Sequence, residues 1–256
     1  EMIRELIESA RVVRNEGEAA QEIILHKSEF IANTKMGLAV YHETLNTWSF
    51  DEKENILELQ RMCQPLSDRL TSPKPRRKNF LREGRLMENV VSKIAAELPV
   101  DHDWIKEADV KCHLKICYEN GYFDMQEGRW VGGKCPEMRF CEGVRGTLFA
   151  RNEEEVRAAH AFITTPFKDM AVANYYVKGL ARAIAGDVSA KVAFIIISET
   201  NGGKSTTTLA VCSAFDGIVS QFDAGNLCNK PRADDRSKTN KWVGPIARKH
   251  PVIANE

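Results

Sequence analysis

Ala190-Lys-Val-Ala-Phe-Ile-Ile-Ile-Ser-Glu-Thr-Asn-Gly-Gly-Lys-Ser205 is the stretch whose reading decides the fold. Its first half, Ala190–Ile197, is a short, continuously apolar, β-branched run, the pattern of a strand covered on both faces of a parallel sheet. Its second half, Ser198–Ser205, carries two glycines, a lysine and a serine ahead of a segment, Lys204–Phe215, that the spacing predicts as a helix. Strand, glycine-bearing loop and helix in that order are the setting of a phosphate-binding loop. The general pattern is G-x-x-x-x-G-K-[ST].

Each position has a physical task. Gly202 and Gly203 lack side chains, so backbone N–H groups can close around phosphate oxygens. The positive end of the helix faces the same anion. Lys204 would set its ammonium against the β- and γ-phosphates, and the Ser205 hydroxyl would ligate the bridging Mg²⁺. The candidate nucleotide-binding set is therefore Ser198, Glu199, Thr200, Asn201, Gly202, Gly203, Lys204, Ser205 and Thr206, with ATP and Mg²⁺ as cofactors. Ser198 stands where the pattern has glycine, a departure that bears on affinity. Such a site also needs an acid at the end of a second strand. Val252–Ala254 read as that strand, which makes Glu256 the candidate Mg²⁺ ligand and, with Lys204, the candidate catalytic pair. The competing reading is a turn with a surface lysine and a strand end with a solvated glutamate.

Working outward, the fold class is α/β, a P-loop core preceded by a small β-rich segment and a helical N-terminal region. The expected division is a helical domain over 1–108, a β-rich segment over 109–150, and the ATPase part over 151–256. Helical periodicity marks residues 1–30. A capping-box pattern at Ser49 and Glu52 predicts a further helix, and Leu86–Leu98 another, ended by Pro99. Val110–Tyr118 alternates as a strand, Asn120-Gly121 signals a hairpin turn, and Trp130–Val131 and Met138–Cys141 read as further short strands. Asn152 is a helix cap for Glu153–Ile163. Asp169–Ala185 is a second helix, closed by Gly186.

The 256 residues hold 36 Lys and Arg against 36 Asp and Glu, so an anionic partner must be met by a local patch. Thr71–Lys78, with two prolines, is a loop, and Lys74, Arg76, Arg77, Lys78 and Arg82 lie in and beside it with Phe80. Cations flanking an aromatic suit a single-strand backbone and a stacked base, and equally suit a solvated linker. No apolar run of about 18 residues is present, so no membrane span is expected. Seven cysteines without a targeting signal point to reduced thiols and an intracellular location. Cys112, Cys117, Cys135 and Cys141 are read as buried thiols or, against their loose spacing, as a zinc set. The chain opens on Glu1 and closes on Glu256, and it reads as a fragment cut at both ends.

These residues resemble superfamily 3 helicases, the viral branch of AAA+ motors. The closest likeness is to the primase–helicases of poxviruses and other giant DNA viruses, with relatives among phage and plasmid primases. Asn201, three positions before Lys204, is one carrier of the likeness. Cys117-Tyr-Glu-Asn-Gly-Tyr-Phe-Asp-Met-Gln-Glu-Gly-Arg-Trp130, Asn174–Gly186 and Phe222–Glu256 are the others, so it covers about residues 110–256. The resemblance implies a hexameric ring of self-associated subunits that moves on single-stranded DNA and opens duplex by ATP hydrolysis during viral or mobile-element replication. A primase or another replication protein would be its partner, in host cytoplasm or nucleus. Gly203, Lys204 and Ser205 would bind phosphate and Mg²⁺, Asn201 would shape the loop, and Glu256 would match the Walker B acid. The family's sensor, DNA-gripping loop and arginine finger would fall beyond Glu256, so this piece is expected to bind nucleotide rather than to unwind DNA unaided. The alternatives are a P-loop kinase and a non-catalytic DNA-binding or assembly module.

Overall fold

A computed structural model describes residues 13–66, 70, 80–81, 84–148, 152–187, 189, 194–197, 202–223 and 252–255. The protein is mixed α/β. It divides into two compact units, one of Glu1–Glu43 with Thr47–Asp109, the other of Thr44–Asn46 with Val110–Glu256.

In the first unit, helix α1 (Glu16–Lys27) is capped by Asn15, whose side chain accepts from the Glu18 amide at 3.0 Å. Ala19, Ala20 and Ile23 form its buried stripe. It packs against helix α3 (Gly84–Glu97), whose Met87, Val90, Val91 and Ile94 recur at the 3–4 spacing of one buried face. Helix α2 (Glu52–Met62) adds Leu59 and Met62 to the same core. Its cap is Asp51, which accepts from the Lys53 and Glu54 amides at 3.0 Å, and not the expected Ser49. Ser49 ends a strand instead.

That strand belongs to a sheet that helical periodicity does not reveal. Strands β1 (Ile31–Thr34), β2 (Gly37–His42) and β3 (Thr47–Ser49) form an antiparallel meander in order. Lys35-Met36 make the first turn, and Gly37 opens β2 with φ of 114°, a conformation that favours glycine. A ladder of rings supports the sheet: Phe30 on Tyr41, Tyr41 against Trp48, and Trp48 edge-on to Trp104 with centroids 5.4 Å apart. Trp104 opens helix α4 (Trp104–Cys112). This corrects the expected strand at Val110: the helix runs through Cys112, and Leu114, with φ of 56°, turns the chain into strand β4 (Lys115–Tyr118).

A buried polar cluster joins α2 to β2. Asn55 donates to the Leu38 carbonyl at 3.0 Å, and His42 Nε2 lies 3.3 Å from Asn55 Oδ1. Glu58, buried, accepts from Arg61 through both carboxylate oxygens, at 2.6 and 3.0 Å, and from the Glu43 amide at 3.1 Å. Burial alone would raise the Glu58 pKa, but the bonds from Arg61 and the Glu43 amide outweigh it and hold the carboxyl below its usual range.

The second unit begins on β4, β5 (Gly121–Asp124) and β6 (Arg129–Gly132), a second antiparallel meander. Its first turn is Glu119-Asn120, one residue earlier than the turn signal suggests, and Gly121 opens the strand. The Trp130 indole lies over Gly121, where any side chain would strike it. Met138–Cys141 form no strand, because Pro136–Met138 is a 3₁₀ turn closed by Arg139 with φ of 61°. Asn46 is fully buried with φ of 58°. Its amide donates to the Tyr118 carbonyl at 3.0 Å and accepts from the Cys135 amide at 2.9 Å, while its carbonyl accepts from the Cys117 thiol. Cys117 and Cys135 are buried, and burial raises both thiol pKa values. Among the described residues no three His, Cys, Asp or Glu gather as a metal would require.

Helices α5 (Glu153–Thr164), α6 (Met170–Ile184) and α7 (Lys204–Ala214) follow, with a parallel pair of strands, β7 (Ser220–Asp223) and β8 (Val252–Asn255). Asn152 and Asp169 cap α5 and α6 through the amides of Glu154 and Ala171, and Gly186 leaves α6 with φ of 75°. Ile116, Val144, Ile184, Val211, Ile218 and Val219 form the core of this unit. No helix among the described residues is long and apolar enough to cross a membrane.

The Glu58 cluster sets an acid limit on stability. A carboxyl with a depressed folded pKa stabilises above the ordinary glutamate value of ~4.3 and loses that contribution as pH falls through the folded value. Glu58→Gln is expected to lower unfolding free energy at neutral pH by about 1–2 kcal/mol and to flatten the acid dependence below that value, measured by urea unfolding at stepped pH.

Candidate functional site

Helix α7 begins at the residue the motif requires. Gly203 is its N-cap, with φ of 81° and ψ of 0°, in the left-handed region. A non-glycine residue held there is strained by about 1–2 kcal/mol. The helix closes behind it through the Thr207 amide and hydroxyl, which donate to the Gly203 carbonyl at 3.0 and 3.1 Å. A glycine cap brings no side-chain acceptor to the first turn. The leading N–H groups of a helix have no partner within it and lie at the positive end of its dipole, the general character of an anion-binding helix start. Lys204 is half-buried, whereas Ser205 and Thr206 are exposed and Thr207 is buried beneath them.

Of the expected nucleotide set, the structure brings together Gly202, Gly203, Lys204, Ser205 and Thr206 at this helix start. Ser198, Glu199, Thr200 and Asn201 lie outside the described residues, as do Glu256 and the basic candidates Lys74, Arg76, Arg77, Lys78 and Arg82. Phe80 is 3 % exposed in the core with Leu70 and Leu81, which removes it as a base-stacking residue. Trp48 and Trp104 are core residues too.

The strand expected before the loop is not formed over its described part. Phe194–Ile197 carry no strand pairing, and Ile195 and Ile197 are 85 % and 89 % exposed. The run is apolar enough for a sheet interior, but strand structure needs a paired neighbour as well as the right side chains. The described parallel pair is β7 with β8, in register Ser220 with Val252 through Asp223 with Asn255. Parallel strands bring their carboxyl ends to one edge, the place where ligands meet open α/β sheets. Asp223 occupies that edge, at the register position of Asn255, and was not among the residues picked from the sequence.

The α5–α6 corner meets the start of α7. The corner between α5 and α6, Thr165–Lys168, puts the Pro166 ring in van der Waals reach of Gly203, 3.4 Å from where a side chain would begin. At the far end of α6, Asp187 accepts from the Ser189 amide at 3.0 Å and from Arg182 Nε at 2.8 Å. Hydrogen bonds from Ser189 and then Arg182 hold its carboxyl at about 2. No family model matches this chain, and no curated protein is similar to it at a significant level.

Gly203→Ala introduces a Cβ at positive φ. The expected outcome is a loss of about 1–2 kcal/mol in stability, with fraying confined to the first turn of α7, read by chemical denaturation and amide hydrogen exchange.

Proposed function

We propose that this chain binds Mg²⁺–ATP at residues 198–205 and belongs to the motor part of a DNA helicase resembling superfamily 3. The observation that supports the reading most is the left-handed Gly203 immediately ahead of a helix that starts Lys204-Ser205. A glycine turn, first-turn amides, one lysine and one hydroxyl are the donor set that a triphosphate and its metal require. The residues fit the cofactor: Lys204 would neutralise phosphate charge and Ser205 would offer its hydroxyl to Mg²⁺, while Glu256 would supply the carboxylate that orders the attacking water. Bound ATP supplies the phosphoanhydride whose cleavage drives the motor. The parallel β7–β8 pair is the kind of sheet on which such sites are built.

Within this reading, single-stranded or duplex DNA is the track, further copies of the chain complete a hexameric ring, and a primase or other replication protein is the partner. A compact unit of its own precedes the loop, which suits a motor with an accessory domain better than a small-molecule kinase, whose loop lies near the start of one domain.

The test is calorimetric titration with Mg²⁺–ATP. Lys204→Ala removes a charge-assisted contact of about 1.5–3 kcal/mol, so affinity falls at least tenfold while the thermal transition without ligand stays in place. Equal affinity in the wild type and the variant contradicts the site.

A further inference from the structure

Helix α5 is inverted for a surface helix. Its polar side faces its neighbour: His160 Nε2 lies 3.2 Å from Asn174 Oδ1 of α6, and Thr164, one turn on, is buried. Glu153 and Arg157 fall on that same side by the helical period. The apolar arc falls on the other side. Val156, Ala158, Ala159, Phe162 and Ile163 come round to it, and the first four are exposed, Val156 and Phe162 at 45 % each. A helix at the surface of one chain ordinarily turns its apolar stripe to the core and its charges to water. An apolar stripe left in water along a helix marks a surface that another molecule covers.

Two features of the arc point to what covers it. The first is the order of sizes along it: small Ala158 and Ala159 at mid-helix, large Phe162 and Ile163 one turn later. An antiparallel copy of the same helix sets the large pair of each chain against the small pair of the other, so the backbones approach closely and no gap is left. The second is charge at the two ends. Glu153, Glu154 and Glu155 form the first turn and are exposed, and Lys168 is exposed in the corner just beyond the last turn. Asp169, next to Lys168, is engaged as the cap of α6, where it accepts from the Ala171 amide at 2.7 Å. Antiparallel pairing carries the acids of each copy to the lysine of the other, once at each end. A parallel pairing would set acids against acids.

We infer that a second copy of this chain covers the apolar arc of α5, in a two-fold contact where the two α5 helices run antiparallel. Such a contact uses one surface on both partners and closes on a pair of chains. It is a different contact from the head-to-tail one of a ring, and it stands whether or not the start of α7 holds a nucleotide. One helix face from each chain makes a small interface, at or below about 1,200 Å² in total, so association is weak and shows at high protein concentration.

The experiment is sedimentation equilibrium of the whole chain, without nucleotide, from micromolar to near-millimolar concentration. The variants are Phe162→Ser, Phe162→Leu, Lys168→Glu, and Lys168→Glu combined with Glu154→Lys. All three positions are exposed, so each variant is expected to keep the thermal transition of the wild type. The wild type is expected to pass from the mass of one chain to that of two. Phe162→Ser is expected to weaken the pair at least about tenfold, and Phe162→Leu to retain it. Lys168→Glu is expected to weaken it about threefold, and the combined reversal to recover most of that loss. A wild type that stays at the mass of one chain throughout refutes the second copy as the occupant. Slow amide exchange along α5 in that single chain would then assign the cover to the chain itself. An assembly of any size that Phe162→Ser leaves unchanged refutes the surface. A Lys168→Glu loss that the Glu154→Lys change deepens refutes the antiparallel arrangement.

Discussion

The second unit depends on one small apolar cluster. Ile116 comes from the β4–β6 meander, Val144 from the segment after it, Ile184 from the end of α6, Val211 from α7, and Ile218 and Val219 from the turn into β7. Burying each such side chain contributes about 1.5–3 kcal/mol. Because Val211 is two turns from Lys204, the cluster fixes the axis of α7 and hence the direction in which its first-turn amides point. Partly buried Leu180, Cys212 and Phe215 extend the cluster toward the seam that holds Tyr176. The candidate site is therefore the start of a helix that is held to the core through Val211 in its last turn.

In the same unit, backbone geometry is set by a few residues in unusual conformations. Gly203 and Gly186 are left-handed at the start of α7 and just past the end of α6, and Asn46 is left-handed at the heart of the meander. Asn46 tolerates the conformation and repays it with hydrogen bonds to backbone groups of Tyr118 and Cys135. These positions differ in kind. Gly203 caps the start of α7 without a side chain, whereas the Asn46 side chain closes a core through hydrogen bonds to Tyr118, Gly121 and Cys135.

Local signals in the sequence were legible where the physics is local. Asn152 and Gly186 read as caps because a side-chain acceptor or a missing Cβ acts within three residues, and the structure places them so, while Asp169, read as the first helical residue, is the cap of α6. The glycine–lysine–serine start of α7 was legible for the same reason. The β1–β3 meander was not, because Gly37 is a weak turn signal by itself and the strands' pairing depends on rings from Phe30 to Trp104 that are far apart in sequence. Phe194–Ile197 has the composition of a buried strand, yet burial also needs a neighbour, which composition cannot supply. Pro166 carried no reading at all, and Phe80 read as an aromatic among exposed cations. Their roles follow from tertiary packing, on Gly203 and in the first core respectively.

A phosphate held at the start of α7 would take backbone amides as its ligands. The measurement is a ¹⁵N–¹H correlation titration of the protein with a slowly hydrolysed Mg²⁺–ATP analogue. The largest shifts are expected at the amides of Gly202 through Thr206, saturating together, and absent when Lys204 is alanine. Saturable shifts that leave those amides untouched and gather elsewhere, or no shifts at all, would contradict a phosphate site at the start of α7.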